Sequence, residues 1–277
     1  MHHNPILYVI ASPIGNLSDV SARALEILSD VSVIAAEDTR RTRTLLSAHG
    51  VVGKRVLSLR AHNESKAAAL VVKKMTESGD AAYLSDAGTP GISDPGAKLV
   101  RAVRMAGFGV SPVPGASALS ALVSVSGCEK AIHFFGFAPR AGAARSRFFN
   151  ELKQFEGGVV LFEAPARIVD ALERLNDALG GQTRVVLGRE MTKMHEQVLE
   201  MTLAEMMRAV EVGDVPERGE FALFVEAPGK KPLEAVGDEL FETLVKELPP
   251  RKAAQIAAKF SGVSAGEYYK KRLAEKE

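Results

Sequence analysis

Residues 85–96 read SDAGTPGISDPG, and their types suit ligand capture. Two Gly/Pro clusters offer tight turns with free backbone N–H groups ahead of a helix. Asp86 and Asp94 offer carboxylates that can accept from ribose hydroxyls or an amine. The segment is neither G-x-G-x-x-G nor a P-loop, because it lacks the Lys-Ser/Thr pair. Two further Gly/Pro loops, ASPIGNLSD (11–19) and PVPGASA (112–118), bring in Pro13, Gly15, Gly115, Ser117 and Ala118. Two charged segments carry groups able to hold or move a proton. EDTRR presents Glu37, Asp38, Arg40 and Arg41, and GREMTK presents Arg189, Glu190 and Lys193. The same residues also read as structural ion pairs at loop ends. His62 and His195 read as surface or loop histidines.

These loops need a frame. ILYVIA, VSVIAA, RVLSL, AAYLS and VSPV are apolar, strand-like runs, and helix-like segments alternate with them. Such alternation predicts an α/β domain with a parallel sheet, whose strand ends put the Gly/Pro loops on one edge. Ser18 is the expected N-cap of the first helix, and Gly50 and Gly79 the expected helix stops. The pattern restarts near His133, with HFFGF, GVVLFEAP, RVVLGRE, QVLEMT and EFALFVEAPG as strands of a second sheet. Beyond Lys230 no strand signal remains. Two amphipathic stretches separated by SGVSAGE are expected there; Pro249 and Pro250 interrupt the first near Leu248, a short helix follows with Ala253, Ile256, Ala257 and Phe260 on one side, and a further helix follows the turn. The expected division is an N-terminal α/β domain (1–129), a second α/β domain (130–229) and a small helix-turn-helix-like domain (230–277).

The 277 residues are 46% hydrophobic and 25% charged, an ordinary soluble composition. No apolar run reaches the roughly 20 residues of a membrane span, and no signal peptide is evident. With one cysteine, Cys128, and six scattered histidines, the expectation is a cytoplasmic, metal-free protein. The net charge of +1 conceals an asymmetry. Residues 39–75 hold nine Lys/Arg and one Glu, and residues 95–147 seven and one; residues 148–248 hold eleven against twenty acidic. Solvated faces account for single clusters, but a basic half-chain suggests a polyanionic partner, most simply nucleic acid.

LYVIASPIGNLSD, AAEDTRRT, LSDAGTPGISDPG, VPGASA, FFGFAPR, EAPAR and LGREMTKMHEQV together resemble the tetrapyrrole methylase superfamily. Within it they are similar to the bacterial branch that methylates a cytidine ribose 2′-hydroxyl of 16S ribosomal RNA. The resemblance spans about residues 5–228, and the terminal helices resemble that branch's small C-terminal domain. Tetrapyrrole-modifying relatives tend to carry a G-x-G-P-G-D first loop; Ser-Pro-Ile-Gly-Asn stands here instead, which favours the RNA branch.

The resemblance implies two α/β domains with S-adenosylmethionine in the cleft between them, usually in a homodimer, acting on ribosomal RNA or the small subunit. Cofactor contacts are then implied at Pro13, Asp86, Gly88, Ile92, Asp94, Ser117 and Ala118, and from the second domain at Phe135, Glu163 and Leu187. An acid-rich lining suits a cationic sulfonium better than a phosphate. Arg40, Arg41, Arg43 and Arg140 are the candidate RNA contacts. For chemistry at a 2′-hydroxyl, Glu190, Lys193, Arg189 and Asp38 are the candidates. A lysine of depressed pKa beside an arginine would take the proton, and a carboxylate would orient the hydroxyl or do the same work. Two alternatives remain open at this point: a tetrapyrrole-type small-molecule methyltransferase, and a noncatalytic RNA-binding module.

Overall fold

The computed structural model describes residues 4–229 and 233–274. Chain order runs β1 (Ile6–Ile10), α1 (Ala22–Asp30), β2 (Val33–Ala36), α2 (Thr39–Ala48), β3 (Arg55–Ser58), α3 (Glu64–Ser78), β4 (Ala81–Leu84), α4 (Ala97–Met105), β5 (Gly109–Val113) and α5 (Ala118–Ser124). The five strands form one all-parallel sheet in the order β3-β2-β4-β1-β5. Leu7, Ala35, Ala81 and Tyr83 bury one face, and Ile10, Ile34, Ala82 and Leu84 the other. This two-sided burial explains why the strands read as continuous apolar runs. Ala36, Leu84, Ile10 and Val113 lie in register at the carboxyl ends. The segments that follow, beginning at Glu37, Ser85, Ala11 and Pro114, therefore emerge side by side.

Ser21, not Ser18, caps α1, accepting from the Ala24 N–H at 3.2 Å. Ser18 sits in a single 3-10 turn, Leu17–Asp19, capped by Asn16. Glu64, the first residue of α3, is buried and accepts the backbone N–H groups of Gly96 (2.9 Å) and Lys98 (2.8 Å). It supplies from a distance the side-chain cap that Gly96 cannot give α4. The Tyr83 hydroxyl donates to the Pro95 carbonyl at 2.6 Å. A Cβ on Gly96 would meet the Tyr83 ring at 2.5 Å, so the loop's end is fixed against a side chain.

The second half comprises β6 (Ile132–Phe137), α6 (Gly142–Glu151), β7 (Glu156–Glu163), α7 (Ile168–Leu179), β8 (Arg184–Arg189), β9 (Gln197–Thr202), α8 (Leu203–Glu211) and β10 (Phe221–Pro228). Its sheet is mixed, in the order β6-β7-β10-β8-β9, with only β6 and β7 parallel. One face packs on α6, α7 and α8 through Leu161, Leu172, Leu187, Met206 and Leu223. The other face, Val160, Val186, Ala222 and Phe224, receives Leu122 of α5. Helix α5 precedes the expected 129/130 boundary, yet its buried side chain packs on the second sheet.

The terminal segment holds three helices: α9 (Leu233–Leu244), α10 (Pro250–Ser261) and α11 (Ala265–Ala274). Pro250 opens α10 at the first helical position, where its missing N–H costs nothing. The buried face of α10 is Ala253, Ala254, Ala257 and Ser261, whereas Phe260 is 64% exposed. Small residues let α9, α10 and Tyr268 of α11 approach closely, which leaves Phe260 no place inside. Among the described residues no helix is long and apolar enough to cross a membrane.

Candidate active site

The strand-end loops of the first sheet face the α5-bearing side of the second across a cavity of about 430 Å³. Asp86, Gly88, Ile92, Asp94, Ser117 and Ala118 line it from the first half; Phe137, Phe162, Glu163 and Ala222 line it from the second. Five acidic residues border it: Glu37, Asp86, Asp94, Glu163 and Glu220. No Lys or Arg does so among the described residues. Burial, together with repulsion from Glu37 and Asp86, pushes Asp94 up to about 6 against a hydrogen bond from Ser85. Burial likewise raises Glu37. The lining therefore has charge to offer a cation and aromatic faces to offer a flat ring.

Ser12 and Gly88 exchange backbone hydrogen bonds of 2.9 Å in both directions, which ties the first Gly/Pro loop (11–19) to the second (85–96). Gly88 has φ 72°, a conformation that a β-branched side chain rarely adopts. Three non-glycine residues share the left-handed region among the described residues: Ser93 (φ 69°), Glu190 (φ 50°) and Thr192 (φ 66°). All three lie at or beside the cleft. Such residues persist only where surroundings over-determine them, and they cluster at functional sites.

The surroundings of the 190–193 loop do so. Glu190 N–H donates to the Glu220 carbonyl at 3.0 Å, and Glu190 Oε1 accepts the Glu220 N–H at 2.9 Å. Lys193 Nζ bridges Glu190 Oε1 (2.8 Å) and Glu220 Oε2 (3.0 Å). Burial works against the Lys193 charge, but the hydrogen bonds to Glu190 and Glu220 outweigh it and raise the pKa. The same bond to Lys193 holds Glu190 below the ordinary carboxylate range. Lys193 is thus a fixed ammonium, and the expectation of a lysine base with depressed pKa is corrected. A Cβ on Gly15 would meet Lys193 Cγ at 2.4 Å, Thr192 Oγ1 at 2.9 Å and the Met191 carbonyl at 3.0 Å, so the 190–193 loop rests directly on the first Gly/Pro loop. Thr192 Oγ1 is buried with no hydrogen-bond partner among the described residues.

Beyond this loop lies a second cavity of about 360 Å³, lined by Ser12, Pro13, Gly15, Arg41, Thr44 and Lys193 among others. It shares Ile14, Asp86, Ala87 and Glu220 with the first. Pro13 belongs to this second cavity, not to the first.

Several expected residues lie elsewhere. Phe135 packs on Phe148 and Phe155 in the core behind the second sheet. The register of β6 against β7 shifts between Phe134 and Gly136, and this bulge returns Phe137, not Phe135, to the cleft. The Leu187 side chain faces the same rear core, while its neighbour Gly188 borders the cavity. Arg189 is buried and donates to the carbonyls of Arg218 (2.8 Å) and His195 (3.2 Å) and to Gln197 (3.1 Å), bracing the loop from behind. Asp38 caps α2 through the Arg40 N–H (2.8 Å) and pairs with the Arg40 guanidinium (3.0 Å), whose hydrogen bond pulls its pKa well down. Both bond to the protein's own groups, and neither lines either of these two cavities. Arg140 is exposed past the end of β6 and lines neither cavity. Glu163 is at the cleft, but its carboxylate is taken up by Arg145 (2.7 Å) and Arg167 (2.6 Å).

Sequence reasoning missed Phe137, Phe162, Ser93, Glu220 and Arg145. The strand alternation in FFGF and VLFE could have found the two aromatics only with the bulge in hand. Nothing local marks Arg145 as buried.

Residues 6–207 match the family model described as Tetrapyrrole (Corrin/Porphyrin) Methylases. A protein of Neisseria meningitidis serogroup B named ribosomal RNA small subunit methyltransferase I is 41% identical over 92% of this chain and 89% of its own. Its namesake in Vibrio cholerae is 39% identical over 96% and 93%. Among solved structures, a cobalt precorrin-4 methyltransferase superposes with a TM-score of 0.60 at 16% identity, covering 79% of this chain and 94% of that one. A uroporphyrin-III C-methyltransferase of Thermus thermophilus, complexed with S-adenosylhomocysteine, gives 0.56 at 13% identity over 79% and 96%. Two α/β halves enclosing a cleft, a matching domain model over most of the length and relatives at this identity agree: the chain belongs to the tetrapyrrole (corrin/porphyrin) methylase family.

Proposed function

We propose that this protein transfers a methyl group from S-adenosylmethionine to the ribose 2′-hydroxyl of a cytidine in 16S ribosomal RNA. The observation that carries the reading is the first cavity, walled by both sheets and bordered by five acidic residues without a Lys or Arg among the described residues. A sulfonium with an ammonium group fits that lining, and Phe137, Phe162 and Ile92 suit an adenine ring. The names of the relatives and the basic first half favour RNA as acceptor over a tetrapyrrole. Asp86, Gly88, Ile92, Asp94, Ser117, Ala118 and Glu163 are the donor contacts in this reading, with Glu163 acting through the backbone it fixes. Phe137 takes the place expected of Phe135.

When bound, the donor supplies a methyl carbon that the acceptor oxygen attacks in line as the carbon–sulfur bond breaks. The chain contributes position above all. Glu220 borders both cavities, and in this reading its carboxylate orients the hydroxyl and receives its proton. Lys193 and Glu190 hold Glu220 in place, and Arg189 braces their loop. Arg40, Arg41, Arg43 and Arg140 offer positive charge to the RNA backbone, and the terminal helices offer Arg251, Lys252, Lys259 and Lys270; the Lys271 and Arg272 side chains lie outside the described residues. The protein works as a cytoplasmic homodimer in this reading. Incubation with labelled donor and small ribosomal subunits, followed by nucleoside mass spectrometry, tests it. A 2′-O-methylcytidine is expected; label in another nucleoside, or none, overturns the assignment.

A further inference from the structure

The two cavities share a wall that carries Asp86 and Glu220, and they differ on the rest of their lining. The first adds Glu37, Asp94 and Glu163 and no cation among the described residues; the second adds Arg41 and Lys193. The Lys193 charge is already matched by Glu190 and Glu220. Asp86, on the shared wall, turns Oδ1 to the Asp38 N–H at 2.7 Å. Helix α2 sorts its own arginines. Arg40 is held by Asp38 at 3.0 Å, and Arg43 reaches Thr39 Oγ1 at 3.5 Å. Arg41 makes no ion pair among the described residues, although its charge reaches Glu37, and it lies on the second cavity. A guanidinium that no carboxylate holds in a close pair can recognise a phosphate.

We infer that the second cavity is the acceptor subsite, and that it takes the RNA phosphodiester next to the methylated ribose, with Arg41 as the phosphate contact. The inference rests on the functional reading above. The geometry fits the chemistry: a cationic donor sits on the acid side of the Ile14–Asp86–Glu220 wall, and an anionic backbone sits on the other. A nucleotide held by Arg41 brings its ribose to that wall, where Glu220 faces both ligands. Of the three arginines of α2, only Arg41 has this position, so a helix that carries a general basic face contains one specific contact.

The test compares Arg41→Ala and Arg41→Gln with Arg104→Ala, which removes the same charge from α4, a helix that lines neither cavity. Methyl transfer from labelled donor to small ribosomal subunits lacking the modification is measured across a salt series. S-adenosylhomocysteine affinity is read by calorimetry as a check that the cleft is intact. Both Arg41 variants should raise the KM for subunits about tenfold and lower the salt slope by about one, with kcat and S-adenosylhomocysteine affinity near those of the unmutated protein. Arg104→Ala should leave KM within about twofold, as expected for a charge making no phosphate contact. Equal KM changes at Arg41 and Arg104 would overturn the subsite while leaving the functional reading intact. No transfer by the unmutated protein would overturn that reading, and the subsite with it.

Discussion

Glu37 and Asp86 secure each other's strand ends: Glu37 Oε2 accepts the Asp86 N–H at 3.2 Å, while the Asp86 carboxylate accepts the N–H of the residue after Glu37 at 2.7 Å. The exchange joins the ends of β2 and β4 and leaves two carboxylates fixed on one wall. Asp94 faces both and is pushed up to about 6 by burial and their repulsion. A raised carboxyl pKa means that the folded, ligand-free protein binds this proton more tightly than the unfolded chain does. The contribution of Asp94 to stability therefore falls as pH rises from about 4 to about 6 and is constant above that. A cationic ligand reverses the preference. S-adenosylmethionine affinity should increase from about pH 5 to about pH 7, and the increase should vanish in Asp94→Asn. Calorimetry at several pH values checks this; an unchanged pH profile in the variant would remove Asp94 from the cation site.

Gly88→Val should weaken cofactor binding before it weakens the fold. The position has φ 72°, so a β-branched residue costs on the order of 1–2 kcal/mol there. That cost is met by shifting the loop and breaking the Ser12–Gly88 pair. S-adenosylhomocysteine affinity should fall more than about tenfold (~1.4 kcal/mol) with a smaller change in unfolding free energy. Unaltered affinity would take this loop out of the site.

Gly15→Ala tests the seat of the strained loop. The added carbon meets the Met191 carbonyl at 3.0 Å and Thr192 Oγ1 at 2.9 Å as well as the Lys193 stem. Overpacking of this kind costs about 1–3 kcal/mol. Turnover should drop because Lys193 and Glu220 are displaced together, and Tm should drop modestly. Full activity would show that the 190–193 loop need not rest on Gly15.

Glu163→Ala should be among the most destabilising changes at the cleft. The Arg145 and Glu163 side chains are 2% and 0% exposed, and Arg145 would retain one carboxylate, Asp170 at 2.5 Å, beside the carbonyls of Pro139 and Arg167. Breaking a buried pair costs about 3–5 kcal/mol. Urea unfolding of Glu163→Ala should reveal a loss of that order, whereas Glu163→Gln, which keeps a hydrogen-bond acceptor, should lose less. Equal and small losses would mean that water reaches the pair.

Truncation after Gly229 should leave S-adenosylhomocysteine affinity unchanged, because the buried cluster of α9–α11 contains residues of that segment alone. A higher KM for ribosomal subunits in the truncated protein would assign RNA contact to these helices. Loss of cofactor binding would instead make them part of the cleft's support.

Apolar runs with helices between them made the first sheet legible in the sequence, because both faces are buried and local pattern and tertiary structure agree. Where one residue's fate depends on a distant partner, the sequence was silent. Helix α6 buries Arg145 and Phe149, so its inward face carries a charge and shows little apolar periodicity. Phe260 looks like core by spacing, but the alanines beside it permit a closer helix approach that excludes it. Phe135 and Phe137 exchange roles through a one-residue bulge that no propensity announces. The charged loops were legible as residue types but not as roles. Arg189 turned out to face backward, Asp38 to cap a helix, and Lys193 to be neutralised by Glu220, which lies 27 positions away.

The halves of this chain keep their main clusters of buried side chains apart, and beside the small cluster that joins α5 to the second sheet the space where they meet is cavity. Anything seated there touches the loops of one sheet and the face of the other at once, and so serves as a brace across the joint. At a hundredfold excess over Kd such a ligand adds about 2.7 kcal/mol to the folded state, all of it at the junction. Calorimetric melting of the ligand-free protein should then be broad, with the halves yielding separately. Saturating S-adenosylhomocysteine should draw the two transitions into one sharp peak, so that the cleft's occupant governs whether the molecule comes apart in pieces or as a whole.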